Sequence, residues 1–164
     1  MKKPSKPSAP PSPASDRAPP AAGWPIPQPG DVLSYAYLWS HEADAGQEEG
    51  LKERPVAVVV ATEGRDDKVQ LLVVPITHSK PSDRHPAILL PATVKRDLGL
   101  DAELSWIVMS ELNRFIWPGP DIRIVKHRAD PFYGAIPDHL FVELRDSIVA
   151  LATNNKLRMI KRTE

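Results

Sequence analysis

Apolar and polar positions alternate in short blocks along most of this chain, and only near its C-terminal end do they take up a helical spacing. Val32 to Trp39 (VLSYAYLW) carries apolar residues on both alternate faces, which predicts a strand covered on each side. Pro55 to Ala61 (PVAVVVA) and Val69 to Ile76 read as two buried strands, with the polar stretch Glu63 to Asp67 as the hairpin loop between them. Ala87 to Leu90, Leu104 to Met109 and Ile122 to Val125 read as further short strands. Pro91 to Leu98 is long enough for one or two helical turns, stopped by Gly99. From Pro137 to about Asn154, Leu140, Leu144, Ile148 and Leu151 recur at spacings of four, four and three, the signature of an amphipathic helix with proline in its first turn.

Two stretches fall outside this pattern. Residues 1–29 hold 10 of the 19 prolines, mixed with Ser, Ala and Lys, and have too little to bury to repay the entropy of ordering. They are expected to be a disordered proline-rich tail. Ser40 to Glu53 is polar and acidic and reads as a long mobile loop. The domain is therefore expected over 30–155, with 156–164 as a basic C-terminal stub, frayed and solvated. Several short strands finished by one helix predict a mainly β fold with helices, a small barrel or strongly curled sheet.

Charge narrows the functional classes. The chain is neutral overall, but Lys2, Lys3, Lys6 and Arg17 stand against Asp16 alone in the tail, leaving 17 basic and 20 acidic residues elsewhere. A globally basic nucleic-acid binder is excluded, so any phosphate contact must come from a local patch. No apolar run reaches the length of a membrane span, no signal-type apolar segment follows Lys2 and Lys3, and cysteine is absent. These features predict a cytoplasmic protein without thiolate metal sites.

Candidate chemistry lies where strands meet loops. Arg54 precedes Pro55, whose ring restricts the arginine's own backbone and would hold a guanidinium suited to phosphate. The ordinary alternative is an ion pair with Glu48, Glu49 or Glu53. Counting outward from the hairpin brings Thr77, followed by His78 and Ser79, to the same end of the sheet as Arg54. Hydroxyl, imidazole and guanidinium together can serve a phosphodiester. The alternative for Thr77 is a hydroxyl satisfying a strand-end backbone group. Ser110 to Trp117 gathers Glu111, Asn113, Arg114 and Trp117. There Arg114 could meet phosphate and Trp117 stack a base, or Glu111 could simply pair with Arg114 while Phe115 and Trp117 pack. His41, Glu42 and Asp44 lack metal-ligand spacing.

Gly30-Asp31-Val32, then Glu48-Glu49-Gly50 with Arg54-Pro55 and its valine strand, then Val74-Pro75-Ile76-Thr77, resemble the framework of the MazF/PemK toxins. Ser105 to Glu111 with Arg114 is similar to the family's late strand, and the terminal helix arrives where the family has one, so the resemblance spans about 30–153. It implies an SH3-like small β-barrel of the MazF/PemK/CcdB-like type with a C-terminal helix, usually a homodimer. It also implies a metal-independent, cofactor-free endoribonuclease. Such a protein cleaves single-stranded RNA, inhibits growth, serves plasmid maintenance, and pairs with a cognate antitoxin in the bacterial cytoplasm. Arg54 and Thr77 match the cleavage-site positions, and His78, Ser79, Glu111, Asn113, Arg114 and Trp117 form the expected RNA-contact set. A barrel of the same family that binds RNA or protein without cutting is the alternative. The carboxylates of the 40–53 loop favour it, because they repel phosphates.

Overall fold

The computed structural model describes residues 23–47, 52–64 and 66–162. Its elements run β1 (Asp31–Ala36), α1 (Ser40–Asp44), β2 (Glu53–Glu63), β3 (Val69–Thr77), β4 (Ala87–Leu89), α2 (Ala92–Asp97), β5 (Trp106–Val108), β6 (Glu111–Trp117), β7 (Phe132–Ala135), α3 (Asp138–Thr153) and β8 (Arg158–Lys161). The fold is mainly β. Hydrogen bonding follows the order β4-β5-β3-β2-β1-β7, with β6 branching from β3 and β8 pairing in parallel with β6. The ladder does not return on itself, since β4 and β7 end the path unpaired with each other; the expected closed barrel is an open, branched sheet.

Strand β3 organises the sheet. On one edge it pairs with β2. On the other it pairs with β6 through residues 69–73 and with β5 through Ile76 and Thr77. The switch falls at Val74 and Pro75, where the ring nitrogen of Pro75 has no hydrogen to donate to a ladder. Beyond this point β5 and β6 diverge, and the end of β3 opens into a cleft.

Each alternate face of the central strands is buried, as the two-sided apolar pattern of 32–39 predicts. Val32, Ala57, Val59, Val74 and Ile76 face one core, closed by Leu98 of the turn after α2 and by Leu140, Leu144 and Ile148 of α3. Leu33, Tyr35, Tyr37, Val56, Val58, Leu71 and Val73 face the other, together with Phe115 and Trp117. Helix α3 forms as its spacing predicts, placing a leucine or isoleucine inward at nearly every turn.

Several segments depart from expectation. The 40–53 stretch begins with helix α1; residues 48–51 lie outside the described residues. Ile122 makes a single bridge to Tyr35 in place of a strand over 122–125. Segment 111–117 is a strand with Glu111, Asn113 and Trp117 buried. Phe132–Ala135 forms a strand against β1. The described part of the basic stub, 156–162, is also ordered: β8 runs beside β6, and Arg162 is buried with Nη2 2.8 Å from Asp121 Oδ2. The first 22 residues of the expected tail lie outside the described residues, while its end packs on the domain through Trp24 and Ile26, Trp24 lying 6.1 Å from the ring of Trp117. Among the described residues no helix is long and apolar enough to cross a membrane.

Candidate functional site

The β2–β3 ladder ends at the pair Val56–Pro75, and Arg54 and Thr77 each lie two residues beyond that pair, at the same end of the sheet. Both line a cleft of about 770 Å³ at the end of β3, where β5 and β6 part. Trp39, His78, Ser105 and Tyr133 also line it.

Arg54 is half-buried. Its guanidinium carbon lies 5.2 Å from the centre of the Trp39 ring. The Nε is buried without a hydrogen-bond partner, and among the described residues Arg54 makes no ion pair. Desolvation draws its pKa below the usual arginine value, against the opposing pull of Glu42 and Tyr37. Glu53 therefore does not neutralise it, and Glu48 and Glu49 lie outside the described residues. Thr77 is 8% exposed, and its Oγ1 accepts a hydrogen bond from the Ser79 amide at 3.2 Å. That contact satisfies a strand-end amide and leaves the hydroxyl proton of Thr77 free to donate.

Behind this pair lies a closed polar circuit. The buried Lys95 ammonium reaches Asp101 Oδ1 at 2.8 Å, Ser105 Oγ at 2.8 Å and the Glu103 carbonyl. Ser105 Oγ stands 3.1 Å from His78 Nδ1, and His78 Nε2 stands 2.9 Å from Asp101 Oδ2. His78 Nδ1 also stands 3.2 Å from the Leu104 carbonyl, so with the proton on Nε2 the ring donates to Asp101 and accepts from Ser105, and with the proton on Nδ1 it donates to Leu104 or Ser105. The hydrogen bond from Lys95 is the main reason the Asp101 carboxyl sits below the usual carboxylate range. Side-chain oxygens and nitrogens of His78, Asp101 and Glu103 lie within 4.8 Å of one another. A fixed ammonium already touches this cluster, so nothing in it calls for a metal ion.

The RNA-contact residues read from the sequence divide into two groups. His78 and Ser79 are exposed at the cleft rim, and Glu111 reaches the cleft wall. Glu111 is nonetheless buried and committed: its Oε1 accepts from the Ser40 amide at 2.9 Å and from the Tyr37 hydroxyl at 3.3 Å, and its Oε2 from the Ser40 hydroxyl at 3.2 Å. Asn113, Arg114 and Trp117 are not part of the cleft lining. Asn113 is fully buried against Leu38, and the Trp117 ring packs between Trp24 and Phe132, so its faces are not open to a base. Arg114 is half-buried, with an Nε that lacks a hydrogen-bond partner.

Trp39, Lys95, Asp101, Ser105 and Tyr133 escaped the sequence reading. Lys95 carried a signal, a lone cation beside Val94 and Leu98 on the buried side of α2. Counting charges at the cleft, Lys52, Arg54, Lys80 and Lys126 face Glu53, Asp101 and Glu111. Lys95 neutralises Asp101, which leaves those four cations against Glu53 and Glu111 and the cleft locally cationic within a slightly acidic domain. Compared with known proteins, the chain matches no family model and no curated sequence.

Proposed function

We propose that this chain is a metal-independent endoribonuclease of the MazF/PemK kind, a growth-inhibiting toxin acting on single-stranded RNA and held in check by a cognate antitoxin. In this reading the open sheet is a small SH3-like barrel left unclosed between β4 and β7, and the working unit is a homodimer in the bacterial cytoplasm. One observation carries the reading: a half-buried guanidinium with no oxygen partner among the described residues shares a cationic cleft with the Thr77 hydroxyl.

Such an arginine is an unfilled receptor for an oxyanion. In the proposed step a ribose 2′-oxygen attacks the neighbouring phosphorus and the bond from phosphorus to the 5′-oxygen breaks. The 2′-hydroxyl gives up one proton and the departing 5′-oxygen takes one, so the products are a 2′,3′-cyclic phosphate and a 5′-hydroxyl. Arg54 stabilises the charge that grows on the phosphoryl oxygens, and Thr77 donates its free hydroxyl proton to one of them. The 2′-hydroxyl requirement restricts the reaction to RNA.

The test is incubation of the purified protein with single-stranded RNA in EDTA beside an Arg54→Ala control. Cleavage by the wild type that the variant loses supports the proposal. RNA left intact at high protein concentration, or cut equally well by the variant, refutes it. Retained binding of intact RNA would identify the non-cleaving alternative.

A further inference from the structure

We infer that Trp39 is the positioning residue for Arg54, and that Glu111 and Asn113 of β6 hold Trp39 in place. The role of a ribonuclease arginine rests on the reading above; the geometry of its support does not.

A half-buried guanidinium loses hydration, and the usual remedy is a carboxylate partner. A carboxylate would also occupy the N–H groups that an incoming phosphate needs. The indole face of Trp39 offers the other remedy. At 5.2 Å it attracts the cation through its ring quadrupole while occupying none of the N–H donors. The absence of an Arg54 hydrogen bond at Nε among the described residues is what this arrangement requires.

Trp39 is held from both sides in sequence. Before it, Asn113 engages both backbone groups of Leu38, accepting from the amide at 2.9 Å and donating to the carbonyl at 2.8 Å. After it, Glu111 receives the amide and hydroxyl of Ser40. Trp39's own amide donates to Glu42 Oε1 at 3.0 Å. Farther along, Asp44 at the end of α1 receives both terminal nitrogens of Arg158 at 2.9 and 3.0 Å, and Arg158 stands opposite Glu111 in the β6–β8 ladder. The backbone around Trp39 is thus pinned to one pair of strands on both sides of the ring.

The test compares wild type with Trp39→Leu and Trp39→Phe. The Arg54 Nε–H resonance in a nitrogen-edited spectrum, assigned by its loss in Arg54→Ala, reports the ring without reference to activity. It is expected to lie upfield in the wild type, to lose that displacement in W39L and to recover at least half of it in W39F. On single-stranded RNA, W39L is expected to lower kcat about tenfold with KM within about twofold, and W39F to restore most of the rate. An Arg54 resonance unmoved in W39L, or an unchanged kcat, overturns the inference. So does a loss of activity that tracks loss of folded protein in both variants. A wild type that shows the ring-displaced Arg54 signal yet leaves RNA intact upholds the positioning role and refutes the ribonuclease reading.

Discussion

Asn113 closes the backbone of Leu38 from both sides, its side-chain oxygen taking the amide proton and its nitrogen meeting the carbonyl, at 2.9 and 2.8 Å. The same oxygen accepts from Arg162 Nη1 at 3.0 Å. Leu38 is buried, so Asn113→Ala would strand its amide and its carbonyl away from water, whereas Arg162 Nη1 keeps the Ala36 carbonyl as an acceptor. At ~1–3 kcal/mol for each unsatisfied group, partly offset by relaxation, urea unfolding is expected to show a loss of roughly 3 kcal/mol or more. Asn113→Asp, which keeps the acceptor but loses the donor to Leu38, is expected to fall between the two. A variant as stable as wild type would contradict this structural role.

That pair also explains what the sequence could and could not reveal. The valine runs of β2 and β3 and the four-four-three spacing of α3 are local patterns, so those elements were readable. Hairpin counting put Arg54 and Thr77 at the same end of the sheet, although a register shift between Val58 and Val60 makes the exact pairing unreadable. Strand β6 was not readable, because its inward residues Glu111 and Asn113 find their partners at Ser40 and Leu38, more than 70 residues away. A buried polar group is indistinguishable from a surface one until its distant partner is known. Arg162 is the same case: its charge reads as solvent-facing, and only the fold supplies Asp121, 41 residues earlier, to neutralise it. Trp39 was missed because its role depends on an arginine whose side chain reaches it only when β1 and β2 pair, with Tyr35 opposite Arg54.

The buried pair of Arg162 and Asp121 makes the C-terminus part of the domain. Arg162 also donates to the Ala36 carbonyl at 2.9 Å and lies over the Tyr35 ring at 5.4 Å. Asp121→Ala would leave a buried guanidinium without its carboxylate, which typically costs about 3–5 kcal/mol. Deletion from Arg158 onward is expected to destabilise at least as much, because it also strips β6 of its parallel neighbour and α1 of its Arg158 tether. Thermal unfolding of the two variants checks this; a deletion that melts with wild type would return 158–162 to the status of a solvated stub.

Asp31 predicts a pH dependence of opposite sign to the common carboxylate case. Burial pushes its pKa up to about 6, against the lowering effect of the Gln28 amide that donates to it at 2.8 Å. Below about pH 4 the group is protonated both folded and unfolded and contributes no difference. Between about 4 and 6 the unfolded chain ionises first, so the folded state loses stability as pH rises, by on the order of 2–3 kcal/mol in all. Asp31→Asn keeps an acceptor for Gln28 and removes the buried charge. Its stability should match wild type near pH 4 and exceed it above pH 6, measured by urea unfolding at both values. Equal stability at pH 7 would sink the idea.

The Lys95 circuit gives a prediction that separates site order from stability. Lys95→Met fills much the same volume but removes the donor shared by Asp101, Ser105 and the Glu103 carbonyl. Asp101 is half-exposed and can rehydrate, so its carboxyl is expected to titrate closer to the ordinary carboxylate value, visible as an upward shift in its side-chain carbon resonance. The wild-type circuit contributes stability above that ordinary value and loses it as pH falls through the depressed one, whereas the variant should lack this acid-range component. Ser105 would then keep only His78 as a partner, and the segment from Leu100 to Ser105 loses the ammonium that gathers it. Faster amide hydrogen exchange confined to that segment is the expected signature. Exchange and titration both unchanged in the variant would show that Lys95 does not organise this wall of the cleft.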